Sequence, residues 1–407
     1  MLLTLALRNL WRNRRRSLLT LSAMVVSSSL LILALGVFSG MFSDMLASAT
    51  EQYHGHIVIS GQDYQEDRDL YTTFPADTQI LHKVESQPQV VAAAPRVRSF
   101  GLISHADASQ PGELLGIVPE REERVTTLTR HLVAGTAFTS EQTRGALIGT
   151  GLARKLGVST GDELVVLTQA SDGSIGNDLL TIRGIFSTGD TRHDNGLVLV
   201  HIDWLRTLLA LPDVDHEIAV RVAEPLLADQ TADLLAALLD ADYEVLDWGD
   251  LLPQMREAIA AYDVSRLIMV SILYLATGLG ILNTFFMSVL ERTREFGVLM
   301  ALGVRPWRIR LLVLAESLFM GLIALACGIM LALLMTLYMS TVGIDLSGTI
   351  SPISYAGGTI LPRLHAVLVF DNFFVPAILL LAISLLAGFL PANRAAKLRP
   401  VEALREE

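Results

Sequence analysis

A run of charged residues near residue 291 stands between two long apolar segments. The run and the residues that follow it are Glu291, Arg292, Arg294, Glu295, Phe296, Gly297, Val298 and Leu299. Because residues at i,i+3 spacing lie on one side of a helix, Arg292 can pair with Glu295, and Glu291 with Arg294. The run predicts a short surface helix with charges toward water and apolar groups toward the bilayer or a partner. The alternative on these residues alone is a loop whose arginines only set the membrane topology.

Glu316 is an ionisable residue inside an apolar segment, where a carboxylate is costly and often functional. One interpretation is a proton or substrate relay. However, Glu316 follows Arg310 by only about a turn and a half of helix. We therefore expect a structural ion pair between Glu316 and Arg308, Arg310 or a neighbouring helix end.

No motif of a catalytic site is present in the sequence. The chain has no G-x-x-x-x-G-K-[ST] phosphate loop, no G-x-S-x-G elbow and no H-E-x-x-H zinc motif. His54 and His56 would share one face of a strand, but no third metal ligand has an evident spacing. We expect no catalytic residue, no metal site and no cofactor bound by this chain, which excludes a membrane-anchored enzyme.

The elements that carry these residues are membrane helices. Hydrophobic residues form 51% of the 407 residues, and the mean hydropathy is +0.47. An apolar run of about 20 residues spans a hydrocarbon core about 30 Å thick. Four such runs predict an α-helical membrane protein with transmembrane helices at 18–42, 265–290, 311–339 and 373–390. The first run resembles a secretory signal ending at Ala47-Ser48-Ala49, but it is longer than the h-region of a signal peptide, so we expect a retained helix.

Arginine and lysine predict the orientation of these helices. They are concentrated in three segments, namely 1–17, 291–310 and 391–407. By the positive-inside rule these segments, and thus both termini, are cytoplasmic. The segments 43–264 and 340–372 then lie outside. We predict a multi-pass protein of the cell inner membrane.

The large outer segment is acidic and of mixed structure. Residues 43–262 contain 15 Lys and Arg against 33 Asp and Glu, which rules out a basic nucleic-acid footprint. The only cysteine, Cys327, lies in an apolar run, so no disulfide can hold this segment. Alternating runs predict strands at 56–60, 113–118, 163–167 and 216–222, and helical periodicity predicts helices at 78–85, 151–156, 202–209 and 225–239. We expect a large mixed α+β extracytoplasmic domain inserted between helices 1 and 2, with one lobe near 91–215 and another built from both ends.

Three motifs in the same order resemble one permease family. The stretch Glu291 to Leu299, preceded by Asn283-Thr284 and Met287, is similar to the signature of the ABC permeases that include the lipoprotein-releasing (Lol) permeases, the MacB efflux pumps and the cell-division FtsX proteins. The tail from Gly388 to Arg405 and the N-terminal stretch from Ala6 to Arg14 resemble the same family.

This resemblance implies a permease subunit of an ATP-driven transporter. Residues 291–310 would be the coupling segment, docked on a separate ABC ATPase subunit that holds ATP and Mg. The implied partners are two cytoplasmic ATPase subunits and a second permease protomer, identical or homologous. In this family closure of the ATPases pushes on the coupling segment, and the membrane helices pass the movement to the outer domain. This mechanotransmission replaces passage of substrate through a pore.

Elements of the outer segment refine the resemblance. The stretches 114–122 and 148–162 are more similar to the lipoprotein-releasing branch than to the others. This implies extraction or export of a lipoprotein or other amphiphile, with membrane lipids and a periplasmic carrier or adaptor as further partners. Two alternatives stay open. One is tripartite efflux of a peptide or small amphiphile with an adaptor and an outer-membrane channel; the other is FtsX-like signalling to a cell-wall hydrolase, against which the size of the insert argues.

Overall fold

The structure is a computed structural model that describes residues 14–346, 348–349, 353–355, 358–360 and 363–398. The predicted N-terminal segment up to residue 13 and the tail from residue 399 lie outside the described residues. The chain divides into two compact units. The membrane unit comprises residues 1–42, 260–349 and 363–407, and the inserted unit comprises residues 43–259 and 350–362.

The α-helices of the described residues are numbered in chain order. They are α1 (Arg14–Ala49), α2 (Tyr64–Asp67), α3 (Thr78–Glu85), α4 (Pro119–Val125), α5 (Thr150–Leu156), α6 (Thr191–Gly196), α7 (Ile202–Leu208), α8 (Ala228–Leu238), α9 (Trp248–Leu251), α10 (Pro253–Glu291), α11 (Thr293–Ala301), α12 (Pro306–Thr341) and α13 (Phe370–Ala396). A π-helix covers Thr50–His54, and 3₁₀ helices cover Leu128–Arg130 and Pro225–Leu227.

Four of the described helices, α1, α10, α12 and α13, are long and apolar enough to cross a membrane. This confirms the predicted number of membrane helices. Each helix extends past the predicted apolar run, because hydropathy marks only the part suited to hydrocarbon while the polar flanks remain good helix formers. Helix α10 begins at Pro253, whose fixed φ and missing N–H suit the first helical position.

Small and hydroxyl residues join the helices of the membrane unit. Ser317 and Ser384 exchange hydrogen bonds between α12 and α13: each hydroxyl donates to the other residue's carbonyl, at 3.1 and 2.7 Å. The hydroxyls of Ser27 on α1 and Thr277 on α10 lie 2.8 Å apart. Such contacts hold helices together where lipid removes the hydrophobic driving force between them.

The strands of the described residues are also numbered in chain order. They are β1 (Ile57–Gly61), β2 (Phe74–Pro75), β3 (Val90–His105), β4 (Ala108–Ile117), β5 (Leu132–Gly135), β6 (Gly145–Gly149), β7 (Glu163–Gln169), β8 (Ile175–Phe186), β9 (Leu197–His201), β10 (Val214–Asp215), β11 (Glu217–Val222), β12 (Tyr243–Asp247), β13 (Ile344–Asp345), β14 (Ile353–Tyr355), β15 (Gly358–Ile360) and β16 (Arg363–Leu364).

One ten-stranded sheet organises the inserted unit. Its order is β12-β1-β11-β3-β4-β9-β6-β8-β5, with β7 paired to β3 and β8. Strands from both ends of the insert lie together at one side, as the two-lobe prediction required. The 16-residue strand β3 continues from them into the middle part of the insert, so both parts share one sheet. The predicted mixed α+β domain is confirmed.

Candidate functional site

The charged run near residue 291 forms a helical turn between two membrane helices. Helix α10 ends at Glu291, and α11 follows at Thr293–Ala301. Gly303 ends this short helix with a φ of +90°, a left-handed conformation that glycine adopts without strain. Helix α12 then begins at Pro306, again with proline at the first helical position. The sequence therefore sets both ends of the turn.

Arg292 binds Glu316 inside the membrane unit. Its Nη1 atom lies 2.9 Å from each carboxylate oxygen of Glu316. The side chains are 11% and 5% exposed, so the pair is shielded from water. Arg292 Nε also lies 3.3 Å from Glu295, which is the i,i+3 pair that the spacing predicted. The guanidinium carbon lies 4.9 Å from the centre of the Phe296 ring, a cation–π distance.

Arg292 directly follows the end of α10 at Glu291, so the bond to Glu316 comes from a neighbouring helix end, one of the three partners expected from the sequence. The other two expected partners, Arg308 and Arg310, lie nearer to Glu316 along the chain. The guanidinium of Arg308 lies 5.7 Å from the ring centre of Trp307, and Arg308 is exposed. Arg310 is half-buried on α12. Arg292 is 24 residues from Glu316 in sequence, and only the fold of the turn brings them together.

Helix α11 has an inner and an outer face. Arg292, Phe296 and Gly297 are buried, and Phe296 belongs to the hydrophobic core of the membrane unit. This corrects the expectation that Phe296 faces the bilayer or a partner. The outer face carries Arg294, Val298 and Leu302, which follow one another at i,i+4 spacing.

The exposed residues of the turn form a mixed charged and apolar surface. Val298 is 43% exposed, Leu299 36% and Leu302 78%. Glu291 and Arg294 are exposed beside them. Large exposed apolar side chains rimmed by charges are typical of a protein–protein contact surface. We call Glu291, Arg294, Val298, Leu299 and Leu302 the outer face of α11.

Two family models cover most of the chain. The MacB-like periplasmic core domain matches residues 17–238, more than half of the chain, and the FtsX-like permease C-terminal domain matches residues 267–400. The chain belongs to the family of MacB-like and FtsX-like permeases. The predicted family is thus confirmed, and the turn that carries α11 lies within the FtsX-like part.

Curated relatives of this permease are similar along nearly its whole length. The lipoprotein-releasing system transmembrane protein LolC of Xylella fastidiosa (strain Temecula1) is 24% identical, over 96% of this chain and 94% of that protein. The macrolide export ATP-binding/permease protein MacB of Marinobacter nauticus is 23% identical, over 99% of this chain but only 60% of that protein. The chain is therefore an ABC transporter permease, and its MacB relatives are longer proteins.

Solved structures resemble the permease over about half of its length. The periplasmic region of MacB from Actinobacillus actinomycetemcomitans matches with a TM-score of 0.37 at 10% identity, over 53% of this chain and 95% of that one. The extracellular domain of the transporter YknZ from Gram-positive bacteria matches with a TM-score of 0.34 at 14% identity, over 47% of this chain and 99% of that one.

Proposed function

We propose that this permease is the membrane subunit of an ATP-driven transporter of the mechanotransmission type, and that it extracts or exports a lipoprotein or other amphiphile from the inner membrane. The observation that carries the proposal is the two-sided α11. Its inner face is bound to the membrane unit through Arg292 and Phe296, while its outer face presents Arg294, Val298 and Leu302. A helix held in this way can take up a force on its outer face without separating from the membrane unit.

The partner on the outer face is a separate ABC ATPase subunit. The sequence itself contains no phosphate loop, so nucleotide binding belongs to the partner, which holds ATP and Mg. Two such subunits and a second permease protomer, identical or homologous, would complete the transporter. By the positive-inside rule, the arginines of the turn support a cytoplasmic position for the turn and both termini, with the inserted unit outside.

The class of substrate is proposed from the relatives. The Xylella relative is named for lipoprotein release, and this chain spans 94% of its length without a large unmatched part. The Marinobacter relative is named for macrolide export, which keeps efflux of a small amphiphile, with an adaptor and an outer-membrane channel, as the second proposal. A periplasmic carrier would favour the first proposal, and an adaptor the second.

A charge on the outer face of α11 tests the docking surface. Leu302→Glu should abolish co-purification with the cognate ATPase subunit and stop transport by the reconstituted complex, because a carboxylate would replace a 78% exposed leucine in an apolar contact. The matched control is Leu234→Glu, a 52% exposed leucine of α8 in the inserted unit. Full assembly and transport by the Leu302→Glu protein would show that the turn is only a topogenic loop.

A further inference from the structure

The inserted unit contains a buried cluster of charged side chains. Arg96, Arg98, Glu122 and Glu217 are each at most 3% exposed. They lie on neighbouring strands β3 and β11 and on helix α4. A buried ion-pair network is usually no more stable than well-packed apolar residues of the same volume, because desolvation offsets the attraction. The cluster therefore calls for a role other than stability.

Both arginines of the cluster lie close to carboxylates. Arg96 binds Glu122 through Nε at 3.1 Å and Nη2 at 2.5 Å, and its Nη1 lies 3.2 Å from Glu217. Arg98 Nη2 lies 3.0 Å from the same oxygen of Glu217, and Arg98 Nη1 lies 3.6 Å from Glu113. Burial alone would raise the pKa of Glu217, but the two guanidinium groups outweigh burial and lower this pKa to about 2. Glu217 is thus ionised, and the cluster is a set of fixed charges.

Tyr53 is inserted into this cluster. It is 2% exposed, and its hydroxyl donates a hydrogen bond to Glu113. The guanidinium carbon of Arg98 lies 5.0 Å from the centre of its ring, and the ring stacks on His193 at 4.2 Å. A tyrosine held by a carboxylate, a cation and a stacked ring cannot shift by a few ångströms without weakening all three contacts.

The segment that carries Tyr53 follows directly on the first membrane helix. Helix α1 ends at Ala49, and the π-helix Thr50–His54 comes next. The backbone of this segment is also bound, since Thr127 N donates to Glu51 O at 2.8 Å and Arg221 lies 3.2 Å from the Glu51 carboxylate. π-helical turns are rare and occur frequently at functional positions. The chain therefore leaves α1 through a short segment that is fixed to the sheet at several points.

We propose that Tyr53, bound by Arg98 and Glu113, passes a displacement of α1 to the sheet of the inserted unit. We call these three residues the joint. This inference rests on the proposed mechanotransmission function and deepens it. Tyr53, Arg98 and Glu113 are positioning residues, because they act on the outer unit and not on the substrate. Loosening the joint should leave ATP hydrolysis intact and remove the movement that it drives.

The experiment measures this movement directly. Spin labels are placed at Leu334→Cys on α12 and Asp172→Cys in the inserted unit, both exposed positions, with Cys327 replaced by alanine, so that the distance reports the inserted unit against a membrane helix other than α1. The distance between labels is measured by electron–electron resonance in the complex with the cognate ATPase, with and without ATP. We expect Tyr53→Leu to reduce the ATP-dependent shift of this distance at least threefold, with assembly and ATPase rate within twofold of the parent protein.

The matched control is Tyr64→Leu. Tyr64 is also buried in the inserted unit, at 1% exposure, and stacks on His216 at 5.3 Å, but it lies on α2 and not on the segment after α1. Its loss should destabilise the unit by a similar amount and keep the ATP-dependent shift. The proposal would be overturned if both variants lost the ATP-dependent distance shift equally, or if Tyr53→Leu kept the full shift.

Two further outcomes are decisive. If Tyr53→Leu does not assemble, Tyr53→Phe replaces it, because it removes only the hydroxyl that donates to Glu113. A full shift in Tyr53→Phe would then overturn the proposal, and a shift reduced at least twofold would support it. A parent complex that hydrolyses ATP with no change of distance would overturn the mechanotransmission function itself, which separates that failure from failure of the joint.

Discussion

Neutralising one partner of the Arg292–Glu316 pair should release α11 from the membrane unit. Glu316→Gln keeps the shape of the side chain and removes its charge. Arg292, whose side chain is 11% exposed, would then carry a buried positive charge without its main partner. Its remaining carboxylate contact in the turn would be the partly exposed Glu295. The inner face of α11 would lose its strongest contact, while the outer face would be unchanged.

The size of the effect follows from the geometry. Two unit charges about 4 Å apart attract by about 4 kcal/mol at an effective dielectric constant of about 20. Nitrogen–oxygen distances of 2.9 Å and low exposure place this pair among buried ion pairs. Breaking such a pair on one side costs about 3–5 kcal/mol. Removing both charges, in Arg292→Met with Glu316→Gln, should restore most of that cost because neither charge of the buried pair is left without the other.

A double-mutant cycle measures this coupling. The free energy of unfolding in mixed micelles is compared for the parent, the two single variants and the double variant, and ATPase stimulation in the complex is followed in parallel. Arg308→Gln is the control, since it removes an exposed arginine from the same turn. The two single costs should add up to at least 2 kcal/mol more than the cost of the double variant, a size typical of coupled neighbours. Additive single effects would refute the idea that this pair holds α11.

Two further predictions concern pH and topology. Burial lowers the pKa of His56 to about 4, so on acidification the unfolded chain binds a proton near pH 6.5 while the folded chain does not bind it until about pH 4. His56 should therefore contribute a fall of up to about 3 kcal/mol in the free energy of unfolding between pH 6.5 and 4. In tryptophan-fluorescence unfolding curves, His56→Gln should make the total fall smaller by that amount, while His54, His193 and His216, whose pKa values are also lowered by burial, keep their own contributions. In intact cells, a membrane-impermeant maleimide should label Asp172→Cys and not Thr293→Cys when Cys327 is replaced by alanine; external labelling of Thr293→Cys would reverse the proposed orientation.

The elements of the fold could be predicted from the sequence because their signals are local. Helix α3 covers the predicted residues 78–85, and β7 begins at the predicted residue 163. The order of the strands could not be predicted in this way. The parallel pairing of β4 with β9 joins residues about eighty positions apart, and nothing in either strand's alternation specifies that partner.

The candidate site was predictable in part for the same reason. The Arg292–Glu295 pair depends only on helical spacing, and the spacing predicted it. The pairing of Arg292 with Glu316 depends on how α11 folds back on α12, and the burial of Phe296 follows from the same contact. A local pattern shows that a helix has two faces, but it does not show which of them meets the rest of the chain.

Buried charges occur at two places where the proposed movement must be passed on. Apolar contacts are non-directional, so they do not by themselves specify which residues of two neighbouring elements lie opposite each other. A buried arginine cannot slide, because a displacement of a few ångströms leaves its charge without a partner at a cost of several kcal/mol. Arg292 at α11 and Arg98 at Tyr53 therefore fix position more than they add stability. This is the property required of contacts that transmit displacement, and it explains why expensive ion pairs stand at these positions where leucines would pack as well.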